Sequence, residues 1–347
     1  MKAVSEQPLG ESRRGARVAG YAGRTLLPIL AVAAILVVLP PLWFGDSTYT
    51  TSLAVRALVF ASYGVAFNLI FGCTNQLFLC MGALAGIGGY GTAISMDRTS
   101  LPIWAGIAVG TASAALVGGV LSWIAVRRSL GVIFTGIVTL VFSLAFANLL
   151  LGQRDLTGSE TGLVLTDGAV RLADDRVGGY YLFVCLLVVC LLVFRVLQLS
   201  HVGWAFRALR DDETAAELAG VDVARYRIYA ATVGSAMFGL TGALYAYSSG
   251  FISPATYAFD QVDVRVLVLV AFGGLGSLLG PVIGAGVFAI LDERLTTSLE
   301  LREILYGVFV IAIFLGFRKG VVHACVALYK RLFRSGGGEP ALETSRE

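Results

Sequence analysis

The sequence predicts an all-α integral membrane protein of about eight to ten transmembrane helices, with a broken or re-entrant Gly-rich pair and a short cytoplasmic helix in its longest inner loop. Three observations carry this. Of 347 residues, 57% are hydrophobic and 14% charged, and the mean hydropathy is +0.80, which excludes a soluble globule of ordinary surface composition. Apolar runs of roughly 20 residues, enough to cross a hydrocarbon core of about 30 Å, recur along the chain with short polar connections. The 42 glycines suit helices that approach closely where lipid gives no hydrophobic drive to associate.

In chain order, Arg13, Arg14, Arg17 and Arg24 lie in a basic tail (residues 1–24) before an apolar run from Leu26 to Phe44. That run is longer than a signal-peptide core and lacks a small-residue cleavage site, so it reads as a retained span. Further spans are expected at Leu53 to Phe71, Gln76 to Ser95, Ile103 to Val126 and Val132 to Leu151. A polar interval, residues 152–179, precedes Tyr180 to Leu199; Ile228 to Ser248, Val264 to Leu291 and Ile304 to Phe317 follow. The membrane domain thus covers about residues 25–318, with a basic tail at 319–347.

Lys and Arg in short loops resist translocation. Both tails, Arg127 with Arg128, and the connection at about 200–227 with Arg207, Arg210, Arg225 and Arg227 are therefore assigned to the cytoplasm. The interval 152–179 is richer in acids, with Asp155, Glu160, Asp167, Asp174 and Asp175, and becomes the main external loop. Two cytoplasmic tails require an even number of crossings, yet the runs number nine. As one helix, Val264 to Leu291 would be about 42 Å long, so it is expected to break at its centre, GGLGS at Gly273 to Ser277, into two short helices. Irregular backbone at membrane depth survives only where protein or a watery cavity satisfies it, so the break points to a pathway.

The charges Arg56, Arg195, Asp263, Arg265, Asp292, Glu293 and Glu303 read as span-end groups, placed where snorkelling or interfacial water accommodates them. Mid-span polarity is left to Asn68, Gln76, Thr135, Thr139, Ser143 and Asn148, either interhelical hydrogen-bonding groups or solute contacts. Tyr180, Tyr181, Tyr245, Tyr247 and Tyr257 fit an interfacial belt. The five cysteines match no zinc or redox spacing, and His201 and His323 are far apart, so no metal site is expected. A net charge of +3 gives no basis for a nucleic-acid partner.

The connection SHVGWAFRALRDDETAAELAGVDVARYR has the clearest local punctuation. Ser200 is expected to cap one helix reaching about Leu209. Asp211 is expected to cap a second of about eight residues, with Asp212 and Glu213 in its first turn, Ala215, Ala216, Leu218 and Ala219 forming a small, smooth face, and Gly220 as its stop. So short a helix needs a partner surface, either lipid headgroups or another protein.

The run DDETAAELAGVDVARYR resembles the corresponding loop in permease subunits of bacterial ABC importers for branched-chain amino acids, in which an Ala-Ala pair precedes a Gly by a fixed spacing kept here by Ala215, Ala216 and Gly220. The likeness continues through SAMFGLTGALYAYSSGFISPATYAF and VLVLVAFGGLGSLLGPVIGA, and more weakly in GCTNQLFLCMGALAGIGGYGTA, GVIFTGIVTLVFS and LTGSETGL. It implies a transport subunit, not an enzyme, in the bacterial plasma (inner) membrane with both termini cytoplasmic. It also implies a homologous second permease, two cytoplasmic ATPases that use ATP and Mg, an extracytoplasmic solute-binding protein, and surrounding lipid. No cofactor is expected on this chain, and no GxxxxGK[ST] run occurs in it.

On this resemblance the ATPase-coupling residues are Arg207, Arg210, Asp211, Asp212, Glu213, Ala215, Ala216 and Gly220. The candidate pathway residues are Gly72, Gln76, Thr135, Thr139, Thr157, Gly158, Gly162, Gly273, Gly274, Gly276 and Ser277. One departure stands out. Where the family has Ser-Leu-Gly-His, this chain has Phe78, Leu79, Cys80 and Met81, and the expectation is a more apolar lining suited to a different solute. Urea or short amides are the nearest alternative cargo. An ion-coupled carrier requires a membrane-buried charge, and a membrane enzyme requires a nucleophile, acid-base or metal cluster; neither pattern is found in the sequence.

Overall fold

The computed structural model describes residues 28–38, 48–99, 102–164 and 176–295. The two tails, the Ile304 to Phe317 span and the middle of the 152–179 interval lie outside the described residues. The described elements, in order, are α1 (Pro28–Val38), α2 (Thr48–Thr74), α3 (Met81–Thr99), α4 (Ile103–Arg127), α5 (Val132–Gly152) and α6 (Arg154–Thr157). After these come β1 (Leu163–Val164), α7 (Arg176–Leu199), α8 (His201–Asp211), α9 (Glu213–Leu218), α10 (Val223–Ser249), β2 (Phe251–Ile252), α11 (Asp263–Gly273) and α12 (Gly280–Leu295). Among the described residues five helices are long and apolar enough to cross a membrane, within α2, α4, α5, α7 and α10.

Apolar almost all round, α2 occupies the centre, as such a helix must: every residue from Leu58 to Ile70 except Phe60 is buried. It touches α7, α8, α10, α11 and α12. Against it α7 lays a stripe at helical spacing, Tyr180, Phe183, Val184, Leu187, Cys190, Leu191 and Phe194, all buried. On the other side α3, α4 and α10 cross through glycines. A Cβ on Gly88 would run into the backbone of Gly239, and one on Gly242 into the backbone of Ala85. Lipid-type exposure marks the outer helices, where Trp104, Leu116, Ile133 and Phe134 lie on the surface.

Two segments around the start of α3 depart from the expected pattern. The run expected to be helical from Gln76 is extended as far as Cys80, and α3 starts only at Met81. Its backbone is satisfied sideways instead, with Leu79 N–H donating to Thr139 Oγ1 at 2.9 Å. The exposed start of α3 is met by Asp263. Expected at a watery span end, that residue is instead fully buried and accepts from Met81 N at 2.5 Å and Gly82 N at 3.2 Å. A carboxylate there supplies acceptors to otherwise orphaned N–H groups and complements the positive helix end. The chain therefore does hold a buried acid, with both of its oxygens engaged in capping.

The break at GGLGS is present: α11 ends at Gly273, α12 starts at Gly280, and residues 274–279 form an irregular turn. At the opposite end of the bundle β1 pairs antiparallel with β2, Leu163 opposite Ile252 and Val164 opposite Phe251.

Candidate functional site

The α8–α9 connection packs on one end of the bundle. Along α8, Gly203, Ala205, Phe206 and Leu209 are buried, and Phe206 meets Tyr226 of α10 edge-on at 6.3 Å between ring centroids. Ser200 occupies the cap position without capping, its hydroxyl donating instead to Leu197 O at 2.8 Å. The cap of α9 is Asp212, not Asp211: Asp212 Oδ1 accepts from Ala215 N at 3.0 Å. The helix is six residues long rather than eight. It closes with Val221 N on Ala216 O at 3.0 Å and Gly220 N on Glu217 O at 2.9 Å, the paired bonds of a left-handed glycine stop. Gly220 has a φ of 84°. Ala216 faces inward, whereas Ala215, Ala219 and Gly220 are exposed and Leu218 is 85% exposed.

Four charged groups of this region are fastened differently. Arg207 stacks on Trp204, its guanidinium carbon 4.5 Å from the ring centroid, and donates to Gln198 O at 3.3 Å. Glu213 binds Arg227 through two bonds, at 2.6 and 2.8 Å. Arg227 also reaches Thr74 O at 3.4 Å, tying α9 and α10 to the end of α2. Arg210 turns toward the break, donating to Leu275 O at 3.4 Å.

The candidate pathway residues separate into three groups. Gly72, Gly276 and Ser277 meet around Asn68, whose amide donates to Ser277 O at 2.7 Å and accepts from Gly276 N at 2.6 Å; Gly273 and Gly274 close the same turn. Gln76 and Thr135 line a polar cleft of about 460 Å³ that Glu213, Glu217 and Arg227 share. Gln76 Oε1 accepts from Ser122 of α4 at 3.1 Å. Thr139 is buried and joins the extended run to α5 by hydrogen bonds. Thr157, Gly158 and Gly162 lie beyond the other end of α5, about 31 Å away along a 21-residue helix. There Thr157 is buried and donates to Leu150 O and Gln153 O.

The Phe78, Leu79, Cys80 and Met81 run does not line the cleft. Phe78, Cys80 and Met81 are fully buried, so these apolar residues fill the core instead of altering an open lining. Asn68, Ser122 and Arg227 are the residues that span-by-span reading undervalued, since each gains its meaning from a partner at least 46 positions away in the chain. A second cavity, of about 430 Å³, is lined by Arg56, Tyr63, Tyr245, Tyr257 and Arg265 among others. Among the described residues no group of three or more His, Cys, Asp or Glu side chains is placed to hold a metal.

The sequence profile described as branched-chain amino acid transport system / permease component matches residues 49–316. The chain is 27% identical, over 82% of its length and 72% of the relative's, to the high-affinity branched-chain amino acid transport system permease protein LivM of Escherichia coli. It is also 27% identical, over 82% of its length and 81% of the relative's, to the fructose import permease protein FrcC of Rhizobium meliloti. A probable branched-chain amino acid transport permease protein, LivH of Methanocaldococcus jannaschii, is 23% identical over 69% of this chain and 77% of that one. No solved structure matches.

Proposed function

The chain belongs to the family of branched-chain amino acid transport system permease components, and from that premise we propose that it is the membrane subunit of an ATP-driven importer for branched-chain or related amino acids. Such components are transport subunits of the membrane, not enzymes. Beside it would stand a homologous permease, two cytoplasmic ATPases holding ATP and Mg, and an external solute-binding protein. Both termini and the α8–α9 loop would face the cytoplasm, and residues 152–179 the exterior.

The observation that carries the reading is α9. A six-residue helix is too short to persist alone, yet this one is capped at both ends, pinned by Arg227, and presents Ala215, Leu218, Ala219 and Gly220 outward. Small residues around one exposed leucine permit close approach of a protein surface. Arg227 is engaged by Glu213, and the α8 arginines Arg207 and Arg210 are turned to Trp204 and Leu275 instead of forming a lipid-facing row, which favours a protein partner over phospholipid. ATP-driven closure of the ATPase pair would move α9 and, through the Glu213–Arg227–Thr74 connection, the rim of the polar cleft. Gln76 and Thr135 in that cleft would then be exposed to one side at a time.

Uptake into vesicles containing the assembled subunits, supplied with leucine, isoleucine, valine, fructose or urea, tests both the mechanism and the cargo. ATP-dependent uptake of the branched-chain amino acids is expected. Preference for fructose would assign the chain the cargo named for its rhizobial relative, and preference for urea would assign a short amide. Uptake by this chain alone, driven by a sodium or pH gradient, would overturn the ATP-driven reading.

A further inference from the structure

We infer that Asn68 and Arg210 form a latch through which movement of the α8–α9 loop passes into the turn between α11 and α12, which makes Asn68 a positioning residue for transport. The latch rests on the ATP-driven reading and supplies its route inside the chain.

Asn68 lies in the middle of an apolar face of α2, 1% exposed. A lone asparagine there is ordinarily a cross-helix tie, but this one spends both ends of its amide on a single turn: Nδ2 donates to Ser277 O and Oδ1 accepts from Gly276 N. Those backbone groups have no helical partner, because α11 has ended and α12 has not begun, and in this half-buried turn the Asn68 amide supplies the missing partner to each. Gly72, one turn further along α2, lets the turn come this close, since a Cβ there would strike both Asn68 Oδ1 and Gly276 N.

The opposite side of the same turn is held by Arg210. Its guanidinium donates to Leu275 O and occupies the space a Cβ on Gly276 would take. Ser277 staples the turn internally, donating to Gly274 O at 2.7 Å and accepting from Gly280 N at 3.1 Å, so residues 274–280 are held as one piece. The far end of α11 is fixed at Asp263. A piece held at one end and gripped at the other pivots when the grip shifts. The two grips differ in strength: the Asn68 bonds are two, short and part-buried, whereas the Arg210 bond is single, long, at 3.4 Å, and exposed. Arg210 is accordingly the contact that exchanges, and Asn68 sets the position to which the turn returns.

The experiment compares solute moved per ATP hydrolysed in the reconstituted importer for wild type, Arg210→Gln, Asn68→Leu and the double variant, using radiolabelled leucine, or whichever solute the uptake assay selects, and phosphate release. In each single variant transport per ATP is expected to fall about tenfold, within the range of ordinary allosteric coupling, and Asn68→Leu, buried on α2 away from the loop surface, is expected to keep the ATPases bound and hydrolysing. The double variant should be no worse than Asn68→Leu, because both act on one turn. An unchanged ratio in Arg210→Gln overturns the latch, as does loss of ATPase binding in Asn68→Leu or a double-variant defect equal to the product of the two singles. If Asn68→Leu is not recovered from membranes, Arg210→Met tests the same contact, since it keeps the bulk of the side chain and removes every donor: transport per ATP equal to wild type in that variant would overturn the latch. A wild-type assembly that hydrolyses no ATP would overturn the importer reading, and the latch with it.

Discussion

Where α3, α4 and α10 cross, glycines lie within helices and what they contribute is missing volume: Gly88 admits the backbone of Gly239, Gly110 admits the carbonyl of Gly88, and Gly242 admits Ala85. At the loop end of the bundle, glycine serves a different need. Gly220 and Gly276 adopt φ of 84° and 75°, and Gly220 has open space around it. One region is an interlock in which backbones touch; the other is a set of turns held by single side chains, Asp212, Arg227, Arg210 and Asn68, each donating to or accepting from backbone or a lone partner. The contrast separates a part held by backbone against backbone from a part held by single side-chain contacts, and it predicts that the same kind of substitution has different consequences in the two places.

The largest effect is expected in the interlock. In Gly88→Leu the new side chain meets the carbonyl and Cα of Gly239, which no rotamer can avoid, and overpacking of this kind costs about 1–3 kcal/mol or more even where neighbours yield. Folded protein recovered from membranes should fall to a small fraction of wild type and the melting temperature in detergent should drop. Recovery at the wild-type level and stability would mean that the helices do not cross through this glycine.

At Gly220 the expectation is a functional loss with a normal fold. Gly220→Trp should insert normally yet abolish co-purification of the ATPases, because the ring occupies the surface beside Ala215 and Ala219. Gly220→Ala should weaken association by about tenfold through the cost of the left-handed conformation, roughly 1–2 kcal/mol. Gly220→Asn, which tolerates that conformation, should recover most of the loss. If Asn fails as badly as Ala, volume and not φ governs the site, and the contrast between the two regions disappears.

These two regions also differ in how far the sequence reveals them. Apolar runs locate the main described spans because hydropathy averages over many residues, and the GGLGS break is visible because glycine clusters interrupt a run too long for one helix. The extended segment Gln76 to Cys80 is not visible, since a buried apolar run reads alike as strand or helix. Neither is the burial of Asp263, whose partners Met81 and Gly82 are about 180 positions away. The candidate coupling residues are recognisable as a loop through their spacing, but the direction each side chain takes is not. Arg210 and Arg207 are both basic residues of one helix, and the tertiary structure sends one to Leu275 and the other to Trp204. Local pattern identifies elements; pairing across hundreds of residues decides what their polar groups do.

The smallest effect distinguishes two adjacent aspartates that the sequence leaves nearly equivalent. Asp211 and Asp212 are both good capping residues, but Asp212 has the extended backbone of a cap, with φ −159° and ψ 116°, and its carboxylate accepts from Ala215 N. Asp211 is instead the last residue of α8. Replacing a cap by alanine costs about 1 kcal/mol. In a helix of six residues with no stability to spare, that cost should appear directly as weaker docking, about fivefold in ATPase affinity. Asp212→Ser, which keeps an acceptor, should stay within about twofold of wild type, and Asp211→Ala should do the same. Equal losses in Asp211→Ala and Asp212→Ala would show that the acidic charge of this corner, not the cap bond, holds the partner, and the turn would then act through its surface potential instead of its geometry.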